Sequence, residues 1–218
     1  MSSSPRLLRK EIINRGRNLS KADIYDCEYG GRRAILKDYG GRCLFIRSTV
    51  GRWFAKREYM IYQELQETPG VPRSFIMPDP CSFLLEYVDG KTLPDTKPEL
   101  ITPPLFQSLK NIIQDIHGRG IACGDIHHRD ILITPDGRPC LIDFVTGWRK
   151  GGKWNLVRNF VFRWLCSLDW LAYYRIREKY TGIRPSEDEK KEFSGIIFLY
   201  YPGRLLKRIF NLLRGKVE

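Results

Sequence analysis

The chain has 218 residues, 42% of them hydrophobic, enough to bury a sizeable core in one compact body of two unequal parts, which excludes a repeat array or a disordered tail. Lysine and arginine number 37 against 25 aspartate and glutamate; the net charge of +12 favours an anionic partner, although a basic surface can also serve solubility alone. Six cysteines (Cys27, Cys43, Cys81, Cys123, Cys140 and Cys166) lack the close pairs of structural zinc and read as reduced cytoplasmic thiols, and the amino terminus has no signal-peptide core.

In chain order, Gly16-Arg17-Asn18-Leu19-Ser20-Lys21-Ala22 reads as a loop ahead of a strand-like stretch, Asp23 to Tyr29. Its backbone N–H groups, Ser20 and Lys21 suit a phosphate. Ala34 to Tyr39 is a short apolar run containing Lys37. From Trp53 to Leu65, apolar residues at Phe54, Ile61 and Leu65 among good helix formers predict an amphipathic helix that carries Glu58. Phe83 to Gly90 is an apolar strand entering a polar, glycine-ended stretch. Thr102-Pro103 is a helix start with a capping residue and proline in the first turn, and Phe106, Leu109, Ile113 and Ile116 then recur at helical spacing.

Three carboxylates stand out next. Asp125 and Asp130 precede the run Ile131-Leu132-Ile133, and Asp143 follows Cys140-Leu141-Ile142. The turn-rich Thr134 to Pro139 between the runs predicts an antiparallel hairpin that gathers the three acids at one end. Like charges so gathered raise one another's pKa unless a cation is present, which makes a Mg²⁺ site the natural resolution. His127 and His128 are adjacent, so their rings are expected to diverge and to serve loop packing or substrate contact rather than zinc.

At these residues the chain resembles the catalytic half of the kinase-like superfamily, most nearly the small bacterial kinases of lipopolysaccharide core sugars (Kdo kinases) and the RIO-type kinases. That family places a catalytic Asp five positions before a metal-binding residue, with a second metal-binding Asp at the end of the next strand. The resemblance therefore implies Asp125 as catalytic and Asp130 and Asp143 as metal ligands; Asp130 departs from the usual Asn. His128-Arg129-Asp130 spells the protein-kinase tripeptide, but Asp130 runs straight into a strand and leaves no room for the downstream loop, so Asp125 keeps the catalytic position. By the same resemblance Lys37 contacts the nucleotide phosphates, Glu58 pairs with Lys37 in preference to Glu64 or Glu67, and the main chain from Glu86 to Val88 meets adenine. Ser20 would stand in a phosphate-covering loop that has one glycine where the family has several.

The fold implied is α+β, protein-kinase-like and bilobal: a small β-rich N-lobe with one helix over residues 1–89, and a mostly helical C-lobe over 90–218. ATP and Mg²⁺ are the implied cofactors. After Asp143-Phe144 the family glycine is replaced by Val145-Thr146-Gly147, and the basic Trp148 to Lys153 leads almost at once into an aromatic helix from Leu156 to Tyr174. No long activation segment intervenes, which points away from regulated protein kinases, and Arg149, Lys150 and Lys153 can meet an anionic acceptor. Arg158, Arg163 and Asp169 make that helix a packed one rather than a membrane span. Gly195 to Tyr201 is too short to cross a bilayer. Beyond Pro202-Gly203, an apolar face of Leu205, Leu206, Ile209, Phe210, Leu212 and Leu213 amid Arg204, Lys207, Arg208 and Arg214 reads as an interfacial helix, or as one that completes the C-lobe.

The sequence reading is thus an ATP-dependent kinase for a hydroxyl of a lipid-linked core sugar, cytoplasmic and peripheral at the inner membrane face. A RIO-like protein serine/threonine kinase and an inactive pseudokinase are the alternatives. A nucleic-acid binder, marked by steep salt dependence, is the lesser expectation.

Overall fold

The computed structural model describes residues 7–16, 21–40 and 50–193. Strands β1 (Leu7–Asn14), β2 (Asp23–Tyr29), β3 (Arg32–Asp38) and β4 (Ser82–Glu86) form an antiparallel sheet in that order. Helix α1 (Arg52–Glu64) crosses between β3 and β4. It buries Ala55, Glu58, Ile61 and Tyr62; of the apolar positions expected to face the core, Ile61 is buried, Leu65 is buried just beyond the helix end and Phe54 is half-buried. Strand β1 is absent from the sequence reading; its pairing with β2 is broken by irregularities between Arg9 and Glu11 and between Ile12 and Asn14, and these blur the two-residue alternation.

The remainder is mostly helical. Helix α2 (Pro103–Gly118) buries Leu105, Phe106, Leu109, Ile112, Ile113 and Ile116. Thr102 stands at its start but caps through the main chain: its carbonyl accepts from the Leu105 and Phe106 N–H groups, and its hydroxyl makes no cap bond. Short strands β5 (Lys91–Thr92), β7 (Ile131–Ile133) and β8 (Pro139–Leu141) form one antiparallel sheet, and β6 (Ile121–Ala122) pairs with β9 (Trp148–Arg149). The predicted hairpin is β7–β8, displaced by one residue: Ile131 faces Leu141 and Ile133 faces Pro139. Helix α3 (Leu156–Thr181) runs seven residues past Tyr174, to a Gly182 cap in the left-handed conformation. No described helix is long and apolar enough to cross a membrane.

One continuous core joins the parts. Ile61, Tyr62 and Leu65 near the end of α1 belong to the same buried cluster as Phe83 of β4, Ile113 and Ile116 of α2, Phe144, and Tyr173 and Tyr174 of α3. The edge of the Phe144 ring meets the Tyr62 ring at 5.1 Å, so α1 is packed directly on the segment that follows β8. The interfacial helix expected at 204–214 lies outside the described residues.

Candidate active site

Lys37 points from β3 toward α1, and its Nζ lies 2.5 Å from Glu58 Oε1 and 3.3 Å from Asp143 Oδ1. Burial alone would lower the Lys37 pKa, but the Glu58 and Asp143 carboxylates outweigh it and hold the ammonium well above its ordinary value. Glu58 is 1% exposed and fully engaged. It accepts from Lys37, from the Tyr39 hydroxyl on Oε2 (2.6 Å) and from the Phe144 N–H on Oε1 (3.1 Å). Burial pushes its carboxyl up, while Lys37 and the two side-chain hydrogen bonds pull it back. Lys37 therefore pairs with Glu58, and Glu64 pairs with Arg149 instead.

Asp143 sits just beyond β8 at φ 73°, the one described non-glycine residue in the left-handed region. Such strain persists only where surroundings impose it. Here its N–H donates to the Tyr62 hydroxyl (3.1 Å) and its Oδ1 accepts from the Val145 N–H (3.3 Å). Burial would raise its pKa, yet Lys37 and that backbone bond leave it below the ordinary aspartate value. The turn after it closes with the Gly147 N–H on the Phe144 carbonyl, and the Arg57 guanidinium of α1 donates to the Gly147 carbonyl.

Asp130 ends a 3₁₀ turn, residues 128–130, and leads straight into β7, as rejection of the tripeptide alignment requires. Its main chain is tied at both ends, the N–H donating to the His127 carbonyl (2.9 Å) and the carbonyl accepting from the Ile142 N–H (2.8 Å). Its carboxyl is pushed up to about 7, first by burial and then by Asp143, with Asp125 adding to the effect. The repulsion expected of the three carboxylates is felt at Asp130, whereas Lys37 holds Asp143 down. Lys21, entering from the β1–β2 side, lowers both Asp130 and Asp143 but does not cancel the effect on Asp130. Asp125 is exposed, on the loop between β6 and the 3₁₀ turn.

That loop is held by a residue the sequence reading assigned only to packing. Asp169 of α3 is 0% exposed. Its Oδ2 accepts from the Cys123 N–H (2.8 Å) and lies 2.9 Å from His117 Nε2, while its Oδ1 accepts from the Gly124 N–H (2.8 Å). Gly124 has φ 84°, and a Cβ there would stand 3.0 Å from the Thr146 carbonyl oxygen. The chain thus turns one residue before Asp125 in a conformation that suits glycine. A carboxylate inside an aromatic run was the available signal, because a charge in such a place must find partners. Tyr39 and Tyr62 were also missed; hydroxyls that reach other elements leave no mark in local sequence.

Ser20 lies outside the described residues. Glu86, exposed at the end of β4, donates its N–H to the Arg73 carbonyl (2.8 Å) and accepts the Arg73 N–H on its carboxylate (3.2 Å), so that donor cannot also read a base edge. Val88 lies two residues past the strand and is half-buried. The two histidines do not diverge: the His127 and His128 rings meet edge to face at 4.3 Å. The 3₁₀ turn brings them together, with His127 Nδ1 accepting from the Arg129 N–H and His128 Nδ1 lying 2.9 Å from the Tyr180 hydroxyl. Burial, with His127 next, lowers the His128 pKa.

Among the described residues no group of three or more His, Cys, Asp and Glu side chains forms a ready metal cage. Asp130 and Asp143 offer hard oxygens, the donor class that Mg²⁺ takes, and Mg²⁺ commonly completes its shell from phosphates and water rather than from an all-protein cage. Burial and the neighbouring Asp143 raise the Asp130 carboxyl, and a cation between the two would offset both effects. The donor set fits the metal.

No protein-family model and no curated protein sequence matches this chain. Solved structures do. Rio2 kinase from Chaetomium thermophilum, in a complex with ADP, Mg²⁺ and phosphoaspartate, aligns at a TM-score of 0.61 over 88% of this chain and 61% of its own, with 20% sequence identity. A second structure of that kinase aligns at 0.59 over 88% and 62%, with 19% identity. The chain has the protein-kinase fold. It spans about three-fifths of the length of these two structures. In this fold the Lys37 ammonium of β3 touches both Glu58 of α1 and Asp143 beyond the β7–β8 hairpin. Both structures bear RIO-type names, one of the two groups the motifs resemble.

Proposed function

We propose that this protein is an ATP-dependent phosphotransferase that acts on a hydroxyl group. The observation that carries the reading is the contact chain Glu58–Lys37–Asp143, with Asp130 raised to about 7 beside it. Lys37, kept cationic by Glu58, binds the α- and β-phosphates. Tyr39 and the Phe144 N–H fix Glu58, and so fix where the ammonium can reach. Asp143 and Asp130 would hold Mg²⁺, which when bound would supply charge neutralisation at the phosphates. Asp125, exposed and set by the Gly124 turn, orients the acceptor hydroxyl and takes its proton late in a loose transition state. Rate gain comes from positioning and electrostatics rather than from covalent chemistry.

For the acceptor, the finer reading remains a lipid-linked core sugar at the inner face of the cytoplasmic membrane, supported by the basic Trp148 to Lys153 segment and by the cationic, apolar sequence 204–214. A RIO-like protein kinase is the second reading, favoured by the Rio2 likeness. Incubation with γ-labelled ATP and a membrane extract separates them. Label in the lipid fraction, lost with Lys37→Met, supports the sugar reading; label on protein serine or threonine supports the RIO-like one. Label retained on the chain as hydroxylamine-labile acyl phosphate would parallel the phosphoaspartate named for Rio2. ATP binding with no label in any fraction would leave a nucleotide-binding module without turnover.

A further inference from the structure

The outer face of the molecule where α1 meets the start of α3 carries apolar side chains that nothing in the active site uses. Trp154 is 91% exposed, Leu156 76%, Val157 77% and Phe160 61%. These are not loose ends of a floppy loop. The Asn159 side chain accepts from the Gly151 N–H (2.9 Å) and donates to the Gly152 carbonyl (3.0 Å), Asn155 donates its N–H to the same carbonyl (2.9 Å), and the Asn155 side chain caps α3 by accepting from the Arg158 N–H (3.1 Å). A Cβ on Gly151 would stand 2.9 Å from that of Asn155, so the turn packs closely against the helix. An ordered turn thus holds an indole almost wholly in water, with three aliphatic and aromatic side chains along the next two helical turns. Contiguous exposed apolar groups of this kind mark interaction surfaces.

Charge says what kind of surface. Between Asp143 and Asp169 the sequence has no acidic residue and five basic ones, Arg149, Lys150, Lys153, Arg158 and Arg163, of which Arg149 is paired with Glu64 of α1. Beside them a groove of about 380 Å³ is lined by Trp53, Met60 and Trp148 together with Lys56, Arg57 and Arg158. A second copy set face to face would oppose cation to cation. The chain's own segment 194–218 would do the same, since it contains five basic residues and a single acid, Glu218. We propose that this face, centred on Trp154, Val157 and Phe160 and rimmed by Lys153, Arg158 and Arg163, docks the protein on an anionic phospholipid bilayer. The aromatic and aliphatic groups enter the head-group boundary and the cations meet lipid phosphates, the division of labour of an interfacial helix. This surface is distinct from the 204–214 segment. It rests on the reading of a membrane-borne acceptor for its purpose only, because binding can be measured without turnover.

The test is co-sedimentation of the full chain with vesicles of phosphatidylcholine alone and with about a third phosphatidylglycerol. The expected result is binding to the anionic vesicles, weakened at least about 10-fold by Trp154→Ser with Phe160→Ser. It should persist, still sensitive to that pair, when Arg204, Lys207, Arg208 and Arg214 are changed to Gln. Melting temperature checks that these variants fold; should the serine pair unfold, Lys153→Glu with Arg163→Glu probes the same face, and loss of binding there supports the proposal equally. No binding to anionic vesicles, binding unchanged by both face variants, or salt-dependent RNA binding that ignores the serine pair while vesicles fail to sediment the chain would overturn it. Vesicle binding that survives while labelled-ATP turnover is absent would leave the docking face standing and remove the kinase reading instead.

Discussion

At the scale of single residues the site is a balance of charges, and Asp130 is the unbalanced one. Burial first and then Asp143 raise its carboxyl from 3.8 to about 7. Between those values the folded protein holds a proton that the unfolded chain has released, so this group's contribution to stability falls as pH rises through the window and stays lost above it. Asp130→Asn removes the loss. Without metal or nucleotide it should stabilise the fold by about 2 kcal/mol at neutral pH, less than the full linkage value because the site faces solvent, and by close to nothing near pH 4. Urea denaturation at both pH values checks this, and an equal gain at both would remove the repulsion argument. Mg²⁺ with ATP should then stabilise the wild type more than the variant. Asp130 and Asp143 were legible from their places at the ends of the hairpin runs, whereas the part given to Lys37 came from the resemblance. Glu58 came from the resemblance and from its place on the helix. Tyr39 and Tyr62 were not legible, because a phenol that reaches across elements looks locally like any core aromatic.

Between elements, position is transmitted through α1 and α3. Helix α1 delivers Glu58 to Lys37, Tyr62 to the Asp143 N–H and Arg57 to the Gly147 carbonyl, so one rigid body sets both the lysine and the strained aspartate. Helix α3 holds the Asp125 loop through Asp169 and the Cys123 and Gly124 N–H groups. Asp169→Ala leaves two backbone donors without their acceptor and should cost about 3 kcal/mol in stability. In a folded sample it should lower kcat far more than the affinity for Mg·ATP, with Asp169→Asn recovering part of both losses. Calorimetric ATP binding beside steady-state kinetics reads the split; equal falls in binding and turnover would make Asp169 structural only. Helices α1 and α2 were readable because their apolar spacing is regular. The bent β1 hid its alternation, and α3 outran its expected end because it stays half-buried past Tyr174 to the Gly182 cap.

Across the whole molecule, the order of motifs made the bilobal fold legible before any contact was known: strand lysine, helix glutamate, loop aspartate, hairpin, second aspartate. Long-range contacts were not legible from order alone. Lys37 and Asp143 are 106 positions apart and meet only because α1 and the β7–β8 hairpin pack into one core. Of the main chain expected to meet adenine, the Glu86 N–H is already committed to the Arg73 carbonyl, a pairing across loops that local sequence does not show. The charge surplus was visible in composition, but the exposure of Trp154, Leu156, Val157 and Phe160 beside the basic stretch 149–163 needed the fold. The central claim is that the gathered acids divide their work, two for the metal and one for the acceptor. It is tested most directly by Asp125→Asn, with Mg·ATP affinity and labelled phosphate transfer measured on the same preparation. The account predicts nucleotide affinity within about twofold of the wild type and transfer reduced at least about 100-fold. Transfer at the wild-type rate would contradict it.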